Sequence, residues 1–221
     1  HDWTTALIPG MLKRKYAWDQ LFADTRTVMT IHNLGYQGGF GAHVIDELDL
    51  HDMADLFDPA DLAAGGVNWL KTGLATVDRI TTVSPTYAHE IQTPELGHGP
   101  DGLLRARGGD VAGILNGIDE GAWNPGDRFV PFRYGWQDLW RRERNKITLL
   151  QRVGLPADPD TLVFGLIARL TSQKGIDLME AVMGDFLGER PARLIVLGSG
   201  EARYERFFED LAARFPSREI G

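Results

Sequence analysis

Residues 162–175 read LVFGLIARLTSQKG, and this stretch decides the fold that the sequence predicts. Its opening run, residues 162–168, is apolar on both faces, as in a parallel strand covered by helices. The polar residues that follow then form the loop from this strand to a helix that begins near Gly175. Because open α/β sheets bind ligands at the carboxyl ends of their strands, this loop is a candidate binding site.

Two cations, Arg169 and Lys174, lie in this loop although the chain is acidic overall. A guanidinium offers a planar fork of donors and an ammonium a compact charge, and both suit phosphate oxygens. The start of the following helix adds partial positive charge, and Gly175 allows the backbone to approach a ligand closely. The alternative is a pair of surface cations neutralised by carboxylates, and the spacing alone does not choose between the two.

The same strand-to-helix pattern recurs along the chain. Ser84 followed by Pro85 is a typical helix start, since serine caps a helix and proline fits its first turn. Strands alternating with helices predict an α/β fold with doubly wound parallel sheets. The predicted strands cover residues 27–32, 79–84, 111–115, 162–168 and 193–197, and the predicted helices begin near residues 4, 67, 85, 137, 175 and 201.

Composition excludes several classes of protein. The 221 residues, 43% of them hydrophobic, suffice for one large domain or two small ones. A net charge of −8 without a long basic block disfavours nucleic acid or an anionic membrane as partner. The chain has no cysteine, which excludes a disulfide framework and fits a reducing compartment. No apolar run approaches the roughly 18 residues of a spanning helix.

The first residues, HDW, combine a histidine with a capping residue. Asp2 is expected to cap the helix near residue 4, which leaves His1 at a strand end facing a cleft. A single histidine is more often structural than catalytic. No second histidine lies three or four positions away, so we predict no metal site here.

Polar residues and glycines follow three further strands. The loop after residue 31 holds Asn33, Tyr36 and Gln37, whose amides and ring suit a sugar, although an ordinary tight loop is the alternative. Asn116 ends another strand near a Gly- and Pro-rich segment that indicates a domain boundary, but Asn-Gly is also a common turn. A glycine turn, Gly198, Ser199 and Gly200, follows the last strand and matches only part of a dinucleotide-binding pattern.

Five blocks of the sequence, taken in order, resemble the signature blocks of bacterial glycogen synthase and plant starch synthase. They read HDW, TIHNLGYQG, GVNWLKTGLATVDRITTVSPTYAHEI, GILNGIDEGAWNP and LIARLTSQKGIDL. The resemblance implies a retaining glucosyltransferase of the GT-B type, with two Rossmann-like domains facing each other across a cleft. It further implies transfer of glucose from ADP-glucose to the non-reducing end of an α-1,4-glucan, with no metal and no cofactor beyond the donor substrate.

The resemblance also implies roles for single residues. Arg169 and Lys174 match the pair that grips the donor diphosphate and stabilises the leaving ADP, and His1 matches the histidine that contacts the transferring glucose. These three are the expected catalytic residues. The expected donor- and substrate-binding residues are Asn116, Gly198, Ser199 and Gly200, together with Asn33, Tyr36 and Gln37, for which acceptor or sugar contacts are expected.

By the same resemblance, the chain is expected to be the central part of such an enzyme. Residues 1–118 would end the first Rossmann-like domain, residues 119–160 would form a linker with a connecting helix, and residues 161–221 would begin the nucleotide-sugar-binding domain. The family's Lys-x-Gly-Gly-Leu and Glu-Pro-Cys-Gly-Leu blocks are absent, so we expect the chain alone to be poorly active. We expect a cytoplasmic protein whose exposed sheet edges favour self-association.

The residues leave two alternatives to this function. Other retaining GT-B transferases, such as sucrose synthase or sucrose-phosphate synthase, share the phosphate loop. The other alternative is a module that binds a nucleotide sugar without turnover.

Overall fold

A computed structural model describes residues 1–216 and 219–220 of the chain. It divides into two compact units, His1–Ile118 and Asp119–Gly221. Within the described residues, no helix combines the length and the apolarity that crossing a membrane requires. The assignment of residues 119–160 as a linker stays a prediction.

The first unit is built around a parallel three-stranded sheet. Its strand order is β1–β4–β5, and its core packs Ile31 and Ile80 of the sheet against Leu70 and Leu74 of helix α4. Strands β2 and β3 pair separately and antiparallel. Strands β1–β5 are Val28–Ile31, Gly39–Gly41, Gly66–Asn68, Arg79–Thr82 and Val111–Gly113, and helices α1–α6 are Ile8–Lys13, Val44–Glu47, Pro59–Ala63, Trp69–Thr76, Pro85–Glu90 and Asp101–Ala106.

Side-chain caps fix where two of these helices begin. Ser84 accepts a hydrogen bond from the amide of Tyr87 at 3.3 Å, which confirms the predicted start of α5 at Pro85. Asn68 accepts one from the amide of Lys71 at 2.9 Å and thereby caps α4. Each cap satisfies an amide of the first helical turn that has no partner inside its own helix.

The prediction that Asp2 caps a helix near residue 4 is wrong. Only a single 3₁₀ turn, Trp3–Thr5, follows it, and the first α-helix begins at Ile8. The Asp2 carboxylate makes no cap hydrogen bond. It is used instead by two amides of a distant loop, which are described below with the site.

The second unit is a parallel sheet in the order β6–β7–β8. Helices α8 and α9 cover one face, where Leu194 and Val196 of β7 pack with Ile176 and Phe208. The parallel α/β architecture is therefore confirmed. The elements are α7 Arg141–Arg152, β6 Leu162–Ile167, α8 Ile176–Glu189, β7 Ala192–Leu197, α9 Ala202–Arg214 and β8 Glu219–Ile220.

The opposite face of this sheet is open at its carboxyl end. Ile167 is 82% exposed and Leu197, its partner in register, is 66% exposed. At this end of the sheet, these two apolar side chains are therefore exposed in the described part of the chain.

Candidate functional site

In the second unit, the loops that follow β6 and β7 are joined side by side. The amide of Leu170 donates to the carbonyl of Ser199, and the amide of Glu201 donates to the carbonyl of Leu170, each at 2.9 Å. Leu170 and Gly200 thus continue the parallel pairing beyond the ends of the strands. The two loops predicted from their sequences to bind a ligand form one surface at the carboxyl edge of the sheet.

Gly198 and Gly200 make this close approach possible. A Cβ atom at Gly198 would overlap the carbonyl oxygen of Ala168, and one at Gly200 would overlap that of Leu170. Neither glycine has a positive φ, so no special backbone angle explains them. Their first role is to let two backbones touch.

Gly175 serves a different purpose from the one that the sequence suggested. It adopts φ 73° and ψ 20°, and it separates the 3₁₀ turn Ser172–Lys174 from the start of α8. A Cβ here would meet only Leu178, at 3.9 Å. The left-handed backbone therefore requires this glycine, rather than close packing.

The two cations of this loop are available to a ligand. Arg169 and Lys174 are both exposed, and within the described residues neither side chain forms a hydrogen bond or an ion pair. The alternative of cations neutralised by neighbouring carboxylates finds no support there. The first turn of α8 adds amides that have no partner inside the helix. Together these groups have the chemistry of an anion site.

The amide of Gly200 is not among the free donors at this edge. It donates to the Oε1 atom of Glu205, which lies one turn into α9, at 2.8 Å. An anion placed against Gly200 would meet this carboxylate. The cationic part of the surface therefore lies on the Arg169–Lys174 loop.

In the first unit, Asp2 brings His1 next to His32, which directly follows β1. The amide of Asp2 donates to the carbonyl of Thr30 at 2.9 Å. Its carboxylate accepts from the amides of His32, at 2.7 Å, and Asn33, at 3.3 Å. As a result, His1 Nδ1 and His32 Nε2 lie 2.9 Å apart, within hydrogen-bond distance.

The loop after β1 is held by contacts on several sides. Asn33 Oδ1 accepts from the amide of Gly35 at 3.0 Å, and the hydroxyl of Tyr87 accepts from the amide of Leu34 at 3.0 Å. Tyr36 is 46% exposed, so its ring can meet a ligand. The loop therefore presents one aromatic surface close in sequence to the histidine pair.

The amide of Gln37 points into the protein. Its Nε2 donates to the carbonyls of Leu34, at 3.2 Å, and His98, at 2.9 Å. Its Oε1 accepts from Nδ2 of Asn68 at 2.6 Å. Both amide hydrogens are used in this way, which leaves Gln37 without a donor for a sugar.

Asn116 lies apart from these contacts. Strand β5 ends at Gly113, and Asn116 follows in an exposed segment that has no regular secondary structure. Its predicted sugar contact stays a prediction. Within the described residues, no group of three or more His, Cys, Asp or Glu side chains is placed to hold a metal ion.

Two residues of the site, His32 and Asp2, have no role there that the sequence patterns predict. A signal for His32 was present, because the predicted strand 27–32 ends on a histidine at the ligand-binding edge. No comparable signal exists for Asp2, whose two amide partners lie about thirty positions away in the sequence.

Comparison with known proteins gives consistent matches along the chain. Residues 1–106 match the family described as the starch synthase catalytic domain. The chain is 45% identical to glycogen synthase of Thermotoga maritima over 219 residues, which are 99% of the chain and 45% of that protein. It is 44% identical to glycogen synthase 1 of Methylococcus capsulatus, again over 99% of the chain and 43% of that protein.

A solved structure matches the whole chain as well. It is the catalytic domain of Starch Synthase IV from Arabidopsis thaliana bound to ADP and acarbose. The identity is 32% and the TM-score 0.83, and the match covers 100% of this chain and 46% of that one. The chain thus spans about half the length of the proteins it matches.

Proposed function

The chain belongs to the family of glycogen and starch synthases, which are glycosyltransferases of the GT-B fold, and from this premise we propose its reaction. The protein transfers glucose from ADP-glucose to the non-reducing end of an α-1,4-glucan, with retention of configuration. Similarity to glycogen synthases over 99% of the chain supports this proposal. The Arabidopsis structure supports the donor, since ADP is what ADP-glucose leaves behind after transfer.

The observation that carries the proposal is that the two cations after β6 form no ion pair within the described residues. Within the described residues, Arg169 and Lys174 form no ion pair with a carboxylate, and both precede the start of α8. A diphosphate would supply the missing negative charge. When the bond between glucose C1 and the diphosphate breaks, charge grows on the leaving ADP, and fixed cations stabilise that charge. We therefore propose that this role needs no metal ion and no cofactor.

The first unit supplies the groups for the sugar. We assign to His1 the contact with the transferring glucose, with His32 at 2.9 Å as its partner. Imidazole nitrogens donate to or accept from sugar hydroxyls, and the exposed ring of Tyr36 can cover an apolar sugar face. Asn116 is exposed and retains its amide for a further hydroxyl.

Composition and exposed sheet edges support the proposals on localisation, excluded partners and self-association. The acidic chain, without cysteine, fits a cytoplasmic enzyme that binds neither nucleic acid nor a membrane. In the described sheets, β1 and β6 are edge strands, and unpaired edges favour association between copies of the chain. Size-exclusion chromatography of the chain at increasing concentration tests this association, and a monomer throughout would contradict it.

A donor and acceptor panel tests the reaction. The full-length protein is incubated with ADP-glucose or UDP-glucose and with glycogen, maltoheptaose or fructose. We expect release of ADP and elongation of both glucans. Fructose as the accepted sugar would instead indicate a sucrose synthase, and the absence of any transfer would indicate a binding module.

A further inference from the structure

Gln37 joins three segments of the first unit through one side-chain amide. Its Nε2 reaches the carbonyl of His98, sixty-one positions away, and its Oε1 receives a hydrogen bond from Asn68, thirty-one positions away. A second bond from Nε2 reaches the carbonyl of Leu34 in its own loop. The segment beginning at Asn33 is thereby tied to the start of α4 and to the segment around His98.

Asn68 determines the donor and the acceptor in each of these side-chain hydrogen bonds. Its Oδ1 accepts from the amide of Lys71 as the cap of α4, so its Nδ2 is the atom that faces Gln37. Gln37 must then present its oxygen to Asn68 and its two hydrogens to the carbonyls of Leu34 and His98. If the oxygen and nitrogen of either side-chain amide were exchanged, an oxygen would face another oxygen. Only one orientation of each amide therefore satisfies all of these hydrogen bonds.

The loop is fastened at its beginning, in its middle, where Tyr87 accepts from the amide of Leu34, and at its end. Asp2 holds its beginning, through the amides of His32 and Asn33. Gln37 holds its end, and the exposed ring of Tyr36 lies between the two. Loss of the Gln37 side-chain bonds would loosen the segment around Tyr36, which the backbone bonds from Leu70 to Gln37 and from Trp69 to Gly38 still anchor. It would leave the histidine pair in place.

We propose that the Asn68–Gln37–His98 bridge positions Tyr36 for the glucan acceptor, and that Gln37 acts through Tyr36 without touching the sugar. This inference rests on the proposed function and names the acceptor as the substrate concerned. Breaking the bridge weakens acceptor binding, because the ring must then be ordered at the expense of binding energy. The reacting groups near His1 and His32 are unaffected, so kcat is retained.

Two variants break the bridge by different routes. Gln37→Met keeps the length of the side chain and removes all three hydrogen bonds. Asn68→Asp keeps an oxygen to cap α4 and removes only the donor that faces Gln37. Gln151→Met, on the exposed surface of α7, is the matched control.

The experiment measures kinetics and hydrogen exchange in the full-length protein. For both variants we expect the KM for maltoheptaose to rise about tenfold, the equivalent of one hydrogen bond. The kcat and the KM for ADP-glucose stay at parental values. Exchange should accelerate at the amides of Gly35 and Tyr36, while the melting temperature stays close to that of Gln151→Met.

Other results would overturn either the role of the bridge or the proposed function, and the two cases can be told apart. Parental KM and parental exchange in both variants would overturn the bridge and leave the proposed function standing. A fall in kcat together with the melting temperature would show a structural role only and would also overturn the bridge. If the parent protein transfers no glucose to maltoheptaose, the proposed function fails, and the inference about the acceptor fails with it.

Discussion

His1 Nδ1 and His32 Nε2 lie 2.9 Å apart, and their rings are 5.1 Å apart between centroids. At this distance one nitrogen donates a hydrogen and the other accepts it. The tautomer of each ring therefore depends on the other. Only one nitrogen of each ring is left to face a substrate, which makes the two histidines a coupled pair.

Coupling predicts that the two histidines are not independent in catalysis. In the full-length protein, His1→Ala and His32→Ala should each lower kcat with ADP-glucose and glycogen about a hundredfold, as expected for a lost acid–base or hydrogen-bonding group. The double variant should be little worse than either single one, because each substitution already disables the pair.

Steady-state kinetics of the three variants check this prediction. His51→Ala serves as control, because His51 is exposed and contacts only Asp46, at 3.5 Å, among the ion pairs of the described residues. Losses that multiply in the double variant would show that the histidines act separately. A parental rate in His1→Ala with a large loss in His32→Ala would move the sugar contact from His1 to His32.

Because the two cations after β6 form no ion pair within the described residues, we predict that removing either of them weakens ADP binding. Arg169→Ala and Lys174→Ala should each weaken ADP binding about tenfold, a modest value for charged hydrogen bonds because both side chains are exposed. Lys174→Arg should recover part of the affinity. Isothermal titration at low and at high salt measures the effect, which should shrink as salt screens the charges.

A third cation, Arg206, provides the matched control. Arg206 is an exposed cation on α9, so Arg206→Ala changes the net charge by the same amount. Its ADP affinity should equal that of the parent. An equal loss in all three alanine variants would point to a general effect of charge instead of a diphosphate site.

Local rules were enough to predict the elements that carry the site. The predicted strands agree with β1, β4, β6 and β7 within about two residues, because short continuous apolar runs between turns are typical of strands in parallel sheets. The start of α5 followed from Ser84 and Pro85, which act within a single turn. The positions of the loops at the strand ends, and hence of the candidate residues, follow from these elements.

Contacts between distant segments could not be predicted in the same way. Asp2 satisfies a local rule for helix caps, yet its carboxylate holds amides of the loop after β1. Gln37 has the chemistry of a sugar ligand, yet its partners His98 and Asn68 occupy its amide. In each case the choice between a local and a long-range partner is made by the fold, and residue type does not reveal it.

Close contact between the loops after β6 and β7 predicts which glycines are indispensable. Gly198→Ala and Gly200→Ala would each drive a Cβ into a carbonyl oxygen of the neighbouring loop. Forced repacking of this kind costs about 1–3 kcal/mol of unfolding free energy. ADP affinity should fall as well, because the same contact fixes the loop that holds Arg169.

Gly165→Ala is the control for this pair. Gly165 lies in β6, and a Cβ there meets no atom within 4 Å. Its unfolding free energy in urea should equal or slightly exceed that of the parent, since alanine restricts the unfolded chain. Stability unchanged in Gly198→Ala would contradict the close approach of the loops.

Asp78, which directly precedes β4, is expected to make a pH-dependent contribution to the free energy of unfolding. Hydrogen bonds from the amide and the hydroxyl of Thr27, with Lys13 nearby, lower the pKa of Asp78 to about 2. Because the folded pKa lies below the ordinary 3.8, the stabilisation is complete above about pH 4 and is lost as the pH falls through 2. With allowance for partial exposure it amounts to about 1–2 kcal/mol.

Urea unfolding of Asp78→Asn and of the parent between pH 7 and pH 2 checks this contribution. The variant should be less stable at pH 7, and the difference should shrink steadily below pH 4, because the parent then loses the charge that the variant lacks. Asp24→Asn, which removes an exposed carboxylate of the same unit, is the control for the loss of one negative charge. A difference that stays constant down to pH 2 would mean that the hydrogen bonds to Thr27 do not depend on the charge of Asp78.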